Sequence, residues 1–259
     1  MRLRVPVLVL ALLLPLGLVA GCGGNDKPKP ATGPGLPSQA QLKSYFEAVT
    51  GGDVDEMTRV QTQVAAPGSP AQGYAAYDAE FTAAAASAGQ ASDPVDVQEV
   101  DGGFKACLGD SADQCATWTD LKGRDGKLAD FSINDIALGD LLVDLTGQQP
   151  IESSGLYRVQ PDWAYRQPRS GNLFVLCTVT ASDLPLSPRP GSYIEGPTIL
   201  KGSDSPGPET IEAGASGTII LAFPGAKDVP LDGQITFDLK LGDQATESIG
   251  FGLADPTSS

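Results

Sequence analysis

The sequence predicts an α+β protein, in which helices and an antiparallel sheet are followed by an all-β half. Apolar residues recur at helical spacing up to Gly89, and the pattern then changes to the alternation typical of strands. Helix signals vanish from Ile151 onward. The chain of 259 residues contains 31 glycines and 21 prolines, a composition that suits turn-rich β structure.

Three N-terminal helices are predicted from their capping residues. Ser38 with Gln41 makes a capping box, and Asp53 is placed to cap a second helix. Ser69 followed by Pro70 is a typical start for a third helix. Gly51 is expected to end the first helix.

Strands are predicted throughout the remainder, with proline or glycine in nearly every gap. The residues at 123–126 form a good hairpin turn. Leu173 to Thr180 is largely apolar on both faces, as in a central strand. The predicted strands are 95–100, 104–108, 115–121, 128–133, 157–165, 172–181, 192–200, 217–223, 234–241 and 247–253.

The first 22 residues have the features of a bacterial export signal. Arg2 and Arg4 precede an uncharged, leucine-rich stretch over 5–20, which is shorter than the roughly 20 residues of a membrane-spanning helix. The run LVAGC at 18–22 resembles the lipobox of bacterial lipoproteins. This resemblance implies removal of a signal peptide over 1–21 and attachment of a diacylglyceryl group to Cys22.

The rest of the chain is predicted to comprise a tether and two domains. Residues 22–37 are rich in proline and glycine, which predicts a flexible tether. An α+β domain over 38–150 and a β-sandwich over 151–259 follow.

The predicted lipid has two acyl chains, which give durable anchoring. The protein itself has a net charge of −15 and is repelled by anionic headgroups. The lipid is therefore expected to hold the protein at the extracytoplasmic face of the cell membrane.

Two stretches resemble known domain families. LKSYFEAVTGGDVDEM and PGSPAQGYAAY, within 38–145, resemble nuclear-transport-factor-2-like domains of actinobacterial exported proteins, which implies a cone-like α+β fold. IEAGASGTIILAFPG, within 151–254, is similar to a feature of immunoglobulin-like sandwiches in Gram-positive surface lipoproteins, which are usually binding or spacer modules. Neither resemblance provides catalytic residues for this chain.

Composition excludes several kinds of chemistry. The chain has no histidine, so His-based triads and His metal ligands are absent. Its strong negative charge argues against nucleic-acid binding. No phosphate loop or nucleophile elbow is present. We therefore expect no catalytic residues, no metal site and no cofactor.

The cysteines suggest one disulfide. Cys107 and Cys115 flank a short turn, and the expected compartment permits oxidation, so we predict that they are bonded. Cys177 is expected to be a buried core thiol.

Two groups of acidic residues are candidate cation ligands, but structural roles are favoured for both. Asp53, Asp55 and Glu56 are expected to cap a helix, and Asp110 and Asp113 to be solvated turn residues.

Two aromatic groups are candidate binding residues. The aromatic residues of the helices either fill the first domain or line a ligand cavity in it. Trp163, Tyr165 and Arg166, on a predicted edge strand, form a candidate protein interface or pack against their own sandwich. The candidate pocket residues are Tyr45, Phe46, Tyr74, Tyr77 and Phe81.

These observations predict a non-enzymatic, lipid-anchored module for binding or scaffolding at the bacterial cell envelope. Its partner is expected to be an unknown envelope protein or a small ligand, besides the membrane itself. One alternative is a carrier of a small apolar or amphiphilic ligand in the cavity of the α+β domain. A second alternative is a carboxylate-based hydrolase of envelope glycans.

Overall fold

The computed structural model of the chain describes residues 28–90, 94–108, 114–153, 155–204 and 206–254. The predicted signal peptide and Cys22 lie outside this range. The described part of the chain is mostly β, with 43% of its residues in strands and 21% in helices, and the strands form three antiparallel sheets. The predicted fold class, a cone-like α+β domain followed by an immunoglobulin-like sandwich, is therefore wrong.

Three helices open the described chain, and each begins where its capping residue predicts. Ser38 and Gln41 form a capping box, Asp53 accepts hydrogen bonds from two backbone N–H groups, and Ser69 accepts one. The first helix ends at Gly51, as expected, and the capping residue that follows it, Gly52, has a φ of 73°, which suits glycine. The helices are α1 (Gln39–Gly51), α2 (Val54–Gln63) and α3 (Pro70–Ser87).

The first sheet is a five-stranded meander. Its strands pair in chain order, and β3 and β4 meet at a tight turn in which Asp125 and Gly126 both have positive φ. This is the backbone of a two-residue hairpin, as the sequence predicts. The strands are β1 (Val97–Val100), β2 (Gly103–Cys107), β3 (Cys115–Arg124), β4 (Lys127–Ile133) and β5 (Ile136–Ala137).

The remaining strands form two facing sheets. The second sheet has the order β12-β9-β8-β6, with β7 also paired to β8, and the third has the order β11-β10-β13-β14. The strands are β6 (Leu142–Asp144), β7 (Ile151–Ser153), β8 (Tyr157–Arg166), β9 (Leu173–Ala181), β10 (Leu186–Glu195), β11 (Thr198–Lys201), β12 (Ser216–Phe223), β13 (Gln234–Leu241) and β14 (Ala245–Gly252).

The strand predicted over 192–200 is wrong, because the chain reverses within it. Glu195 pairs with Thr198 across a two-residue turn, so the segment is split between β10 and β11. Gly196 has a φ of 51°, a backbone conformation that glycine permits and that turns the chain back on itself.

Strand β9 shows how the layers stack. It lies between β8 and β12, and both of its faces are buried, as the sequence predicts for a central strand. Leu173 and Val175 face the core shared with the third sheet. Phe174 and Leu176 belong to the other core, which contains the helices. The second sheet is therefore covered on both sides.

Helix α3 lies between two sheets and does not simply close a cone. It contacts β4 of the first sheet on one side and β6, β9 and β12 of the second sheet on the other. The packing links the two halves of the chain, and so does the pairing of β6 with β8. This sharing is the physical reason why a cone followed by a separate sandwich does not describe the molecule. The predicted boundary between residues 150 and 151 stays a prediction.

The described part of the predicted tether, residues 28–37, lies against the first sheet. The Lys29 N–H donates to Asp101 Oδ1 at 2.9 Å. At the opposite end of the segment, the Gly126 N–H donates to the Gly35 carbonyl at 3.0 Å. This stretch therefore has defined contacts at two turns of the sheet.

Candidate functional site

A cavity of about 490 Å³ lies where the helices, the first sheet and the end of β8 meet. This volume is within the range of small-molecule binding sites. The residues that shape its chemistry are Tyr74, Tyr77, Asp78, Phe81, Trp118 and Tyr165.

Helix α3 supplies one wall. Tyr74, Asp78 and Thr82 are four residues apart and therefore share a helix face, which is turned to the cavity. The Tyr77 ring lies 5.9 Å from the Phe81 ring and 4.9 Å from that of Tyr165, measured between centroids. These contacts form a continuous aromatic wall, which draws on both α3 and β8.

The first sheet supplies the opposite wall. Ala106 of β2 and Ala116 of β3 are paired across the ladder, and both line the cavity. The next pair on the same face is Phe104 with Trp118. Small side chains beside large ones leave open volume that the core does not fill.

Among the described residues that line the cavity, Asp78 is the one with a carboxyl group. Its Oδ2 atom is buried and has no hydrogen-bond partner within the described part of the chain. Burial away from water raises the pKa of Asp78 from 3.8 to about 7. Near neutral pH this carboxyl therefore exists in both protonation states.

Trp118 presents a second unsatisfied polar atom. Its side chain is only 2% exposed, and its Nε1–H finds no acceptor among the described residues. A buried polar group without a partner costs roughly 1–3 kcal/mol. The cavity is thus lined by one residue with an unmet acceptor and one with an unmet donor.

The predicted pocket residues divide into two groups. Tyr74, Tyr77 and Phe81 line the cavity, whereas Tyr45 and Phe46 are fully buried and fill the core beside it. The Tyr45 hydroxyl donates to the Ala71 carbonyl at 2.6 Å. Burial raises the pKa of Tyr45, Tyr74 and Tyr77 well above the usual value, so these hydroxyls stay neutral.

The disulfide lies at the rim of the cavity. The predicted bond between Cys107 and Cys115 is confirmed, and it joins directly opposed residues of β2 and β3. Leu108, the next residue, also lines the cavity and is 80% exposed, so the apolar lining reaches the surface there. Asp110 and Asp113 lie outside the described residues.

Two of the three candidate interface residues, Trp163 and Tyr165, are buried, and Arg166 is half-buried. The predicted edge position of their strand is wrong, because β8 pairs with β9 on one side and with β6 and β7 on the other. Trp163 and Tyr165 are each 6% exposed. The Trp163 indole N–H donates to Glu80 Oε1 at 3.2 Å, and Arg166 donates to the carbonyls of Val229 and Asp140.

Cys177 and Asp53, which the sequence also singled out, have the structural roles expected of them. Cys177 is a free, fully buried thiol, and burial raises its pKa well above the usual value. Asp53 Oδ1 accepts hydrogen bonds from the N–H groups of Asp55 and Glu56, as expected of a helix cap.

The described residues contain no cluster of three or more Cys, Asp or Glu side chains that could hold a metal ion. Over the same range, no helix combines the length and apolar character needed to cross a membrane.

A second depression of about 420 Å³ lies between β10, β12 and the loop residues 202–204 and 206–210. Its lining includes Arg189, Asp204 and Glu209, and it is more polar than the aromatic cavity. None of the unsatisfied buried atoms found in the described chain belongs to its lining. The aromatic cavity is therefore the stronger candidate site.

Asp78 and Trp118 are cavity residues that the sequence pattern did not single out. Asp78 follows Tyr74 by four residues, so helical spacing alone places it on the same face as the aromatic residue. Trp118 lies in a predicted strand, but its position opposite Phe104 depends on the pairing of β2 with β3. The first signal was readable in the sequence, and the second required the register.

No protein-family model matches the chain, and no curated protein matches its sequence. The resemblances to nuclear-transport-factor-2-like and immunoglobulin-like domains therefore stay untested by any relative. The fold class attached to them is corrected by the strand content and layering described above.

Proposed function

We propose that the protein binds a small apolar or amphiphilic ligand in the aromatic cavity and acts as a carrier without catalysing a reaction. The observation that carries this proposal is a cavity of about 490 Å³ whose lining includes both Asp78 and Trp118, each with an unsatisfied buried polar atom. Apolar walls supply affinity, and a few polar groups fix orientation.

The proposal includes a location. A carrier held by a lipid on Cys22 would work at the extracytoplasmic face of the cell membrane, where amphiphilic molecules are concentrated. The support is the lipobox-like run at 18–22. Scaffolding of an envelope protein remains the alternative role, but the buried positions of Trp163 and Tyr165 give it no additional support.

The hydrolase alternative also stays a prediction. A paired-carboxylate mechanism requires two carboxyl groups that face each other across the substrate. Among the described lining residues, Asp78 supplies one such group. No second carboxyl group in that lining favours the reaction over simple binding.

The test uses 1-octanol as a probe and isothermal titration calorimetry. We expect saturable binding of one octanol per chain. Ala116→Leu extends a side chain that lines the cavity and should weaken binding about tenfold or more. Thr117→Leu introduces the same residue on the opposite face of β3 and should leave binding unchanged.

Two results would contradict the proposal. One is the absence of saturable octanol binding by the unmodified protein. The other is equal binding by both leucine variants and the unmodified protein, which would place the probe outside the cavity. Circular dichroism of each variant confirms that a lost signal is not lost folding.

A further inference from the structure

The cavity combines a carboxyl group with aromatic rings, an arrangement suited to a positively charged group. Asp78 lines the same space as Tyr74, Tyr77, Phe81 and Tyr165. The faces of aromatic rings attract cations, and such rings around a carboxylate bind ammonium groups. The Oδ2 atom of Asp78 is buried and has no hydrogen-bond partner among the residues that the structure describes.

We infer that the ligand is a cationic amphiphile, whose amine or quaternary ammonium group pairs with Asp78 while its apolar part occupies the aromatic cavity. This inference rests on the proposed function, because it names the chemical class of the ligand for the same cavity. It adds a charge preference that a purely apolar carrier would lack.

The groups that face Asp78 support a cation over an anion. Tyr45 of α1, Tyr74 and Tyr77 of α3, and Tyr165 of β8 are electrostatically coupled to Asp78. Burial raises the pKa of each, so all four hydroxyls remain neutral. None of them neutralises the Asp78 carboxylate, and an ammonium ligand supplies the missing positive charge.

Arg169 is the charged group that favours the opposite preference. It belongs to the turn between β8 and β9 and also lines the cavity, so it is the natural partner of an anionic ligand. The described side chains that line the cavity from the first sheet, including Trp118, Ala116 and Asn134, carry no charge. The charge of the preferred ligand therefore depends on whether Asp78 or Arg169 is its partner.

The overall charge favours Asp78. The chain carries 32 acidic and 17 basic residues, for a net charge of −15. A field of this sign concentrates cations near the surface and repels anions. A cationic amphiphile therefore meets attraction during approach as well as in the cavity.

The experiment compares three probes with the same unbranched octyl chain: octylamine, 1-octanol and octanoate. Calorimetric titration at about pH 8 is suitable, because Asp78 is then largely ionised and an alkylamine is still protonated. We expect octylamine to bind about tenfold or more tightly than octanol, and octanoate to bind most weakly. Near pH 5.5, where Asp78 is protonated, this preference should fall.

Two variants assign the preference to one residue. Asp78→Asn should bring the affinity for octylamine to within about twofold of the affinity of the same variant for octanol. Glu80→Gln removes one charge from the same helix at a residue that is not part of the cavity lining, and it should retain the amine preference. Circular dichroism reports whether each variant is folded.

The outcomes separate the two proposals. If none of the three probes binds saturably, the proposed function and this inference both fail. If octanol binds saturably, and either octanol or octanoate binds as tightly as octylamine, the carrier function stands and the cationic preference is overturned. An amine preference that persists in Asp78→Asn also overturns the inference, because another group must then provide it.

Discussion

Gly73 of α3 lies directly against the ring of Trp163 in β8. A Cβ atom on residue 73 would be 3.1 Å from Trp163 Cζ3. Two turns further along the helix axis, Glu80 accepts the hydrogen bond of the same indole ring. The close approach of helix and sheet therefore depends on a missing side chain at one position and on a polar contact at another.

A larger side chain at residue 73 should separate these elements. We expect Gly73→Val to lower the free energy of unfolding by roughly 2–3 kcal/mol, since overpacking forces neighbouring atoms apart. Urea denaturation measures the change. Ala83→Val, at an exposed position of the same helix, should cost less than about 1 kcal/mol. Equal effects of the two substitutions would show that the Trp163 contact is not tight.

The burial of Asp78 should make stability depend on pH. Its folded pKa of about 7 exceeds the unfolded value of 3.8, so the folded protein binds more protons between these limits. Stability should therefore be greater near pH 4 and decrease as the pH rises through about 7. The half-buried Glu80, whose pKa is also raised to about 7, acts in the same direction.

Asp78→Asn should remove much of this dependence. The free energy of unfolding of the unmodified protein should fall between about pH 5 and pH 8. We expect that of the variant to fall by roughly 2 kcal/mol less. Urea denaturation at both pH values gives the difference. Asp55→Asn, at an exposed site, controls for the loss of one negative charge. A parallel decline of Asp78→Asn and unmodified protein would show that Asp78 does not cause the dependence.

Loss of the disulfide should destabilise the fold. The bond between Cys107 and Cys115 closes a loop with a sequence separation of 8. Its removal in a Cys107→Ser, Cys115→Ser double variant should lower the free energy of unfolding by about 2–3 kcal/mol. Chemical denaturation measures this change, and reduced unmodified protein provides the comparison. Unchanged stability in both samples would contradict the expected constraint.

The predicted location depends on the predicted lipidation of Cys22. We expect Cys22→Ala to move the protein from the membrane fraction to the soluble fraction, because the acyl chains supply the anchoring. Immunoblotting of fractionated cells measures the distribution. Cys177→Ala removes a cysteine from the core and should remain at the membrane. Membrane association of the Cys22→Ala protein would refute the lipobox interpretation.

Local features of the fold were predictable from the sequence. Ser38, Asp53 and Ser69 satisfy free backbone N–H groups at helix starts, so each leaves a signal within a few residues. The hairpin at Asp125 and Gly126 is local in the same sense. The disulfide was also predictable, because a short separation and two candidate strands restrict the choice.

The layering was not predictable, because it depends on contacts between distant residues. β6 is short, and its pairing with β8 joins Asp144 to Trp163 without any neighbouring sequence signal. The contact of Gly73 with Trp163 is equally remote. Asp78 is buried only because sheets lie on both sides of α3, so its unusual chemistry follows from the tertiary arrangement.

Helix α3 also limits how the protein can be divided. Its aromatic residues complete the cavity only together with Tyr165 of β8, and its other contacts cover β9 and β12. A fragment that ends at residue 150 would lose a wall of the cavity, and one that begins at 151 would expose Trp163 and Phe174 to water. Engineers who want to transplant the proposed binding site into another scaffold will therefore need elements from both halves of the chain.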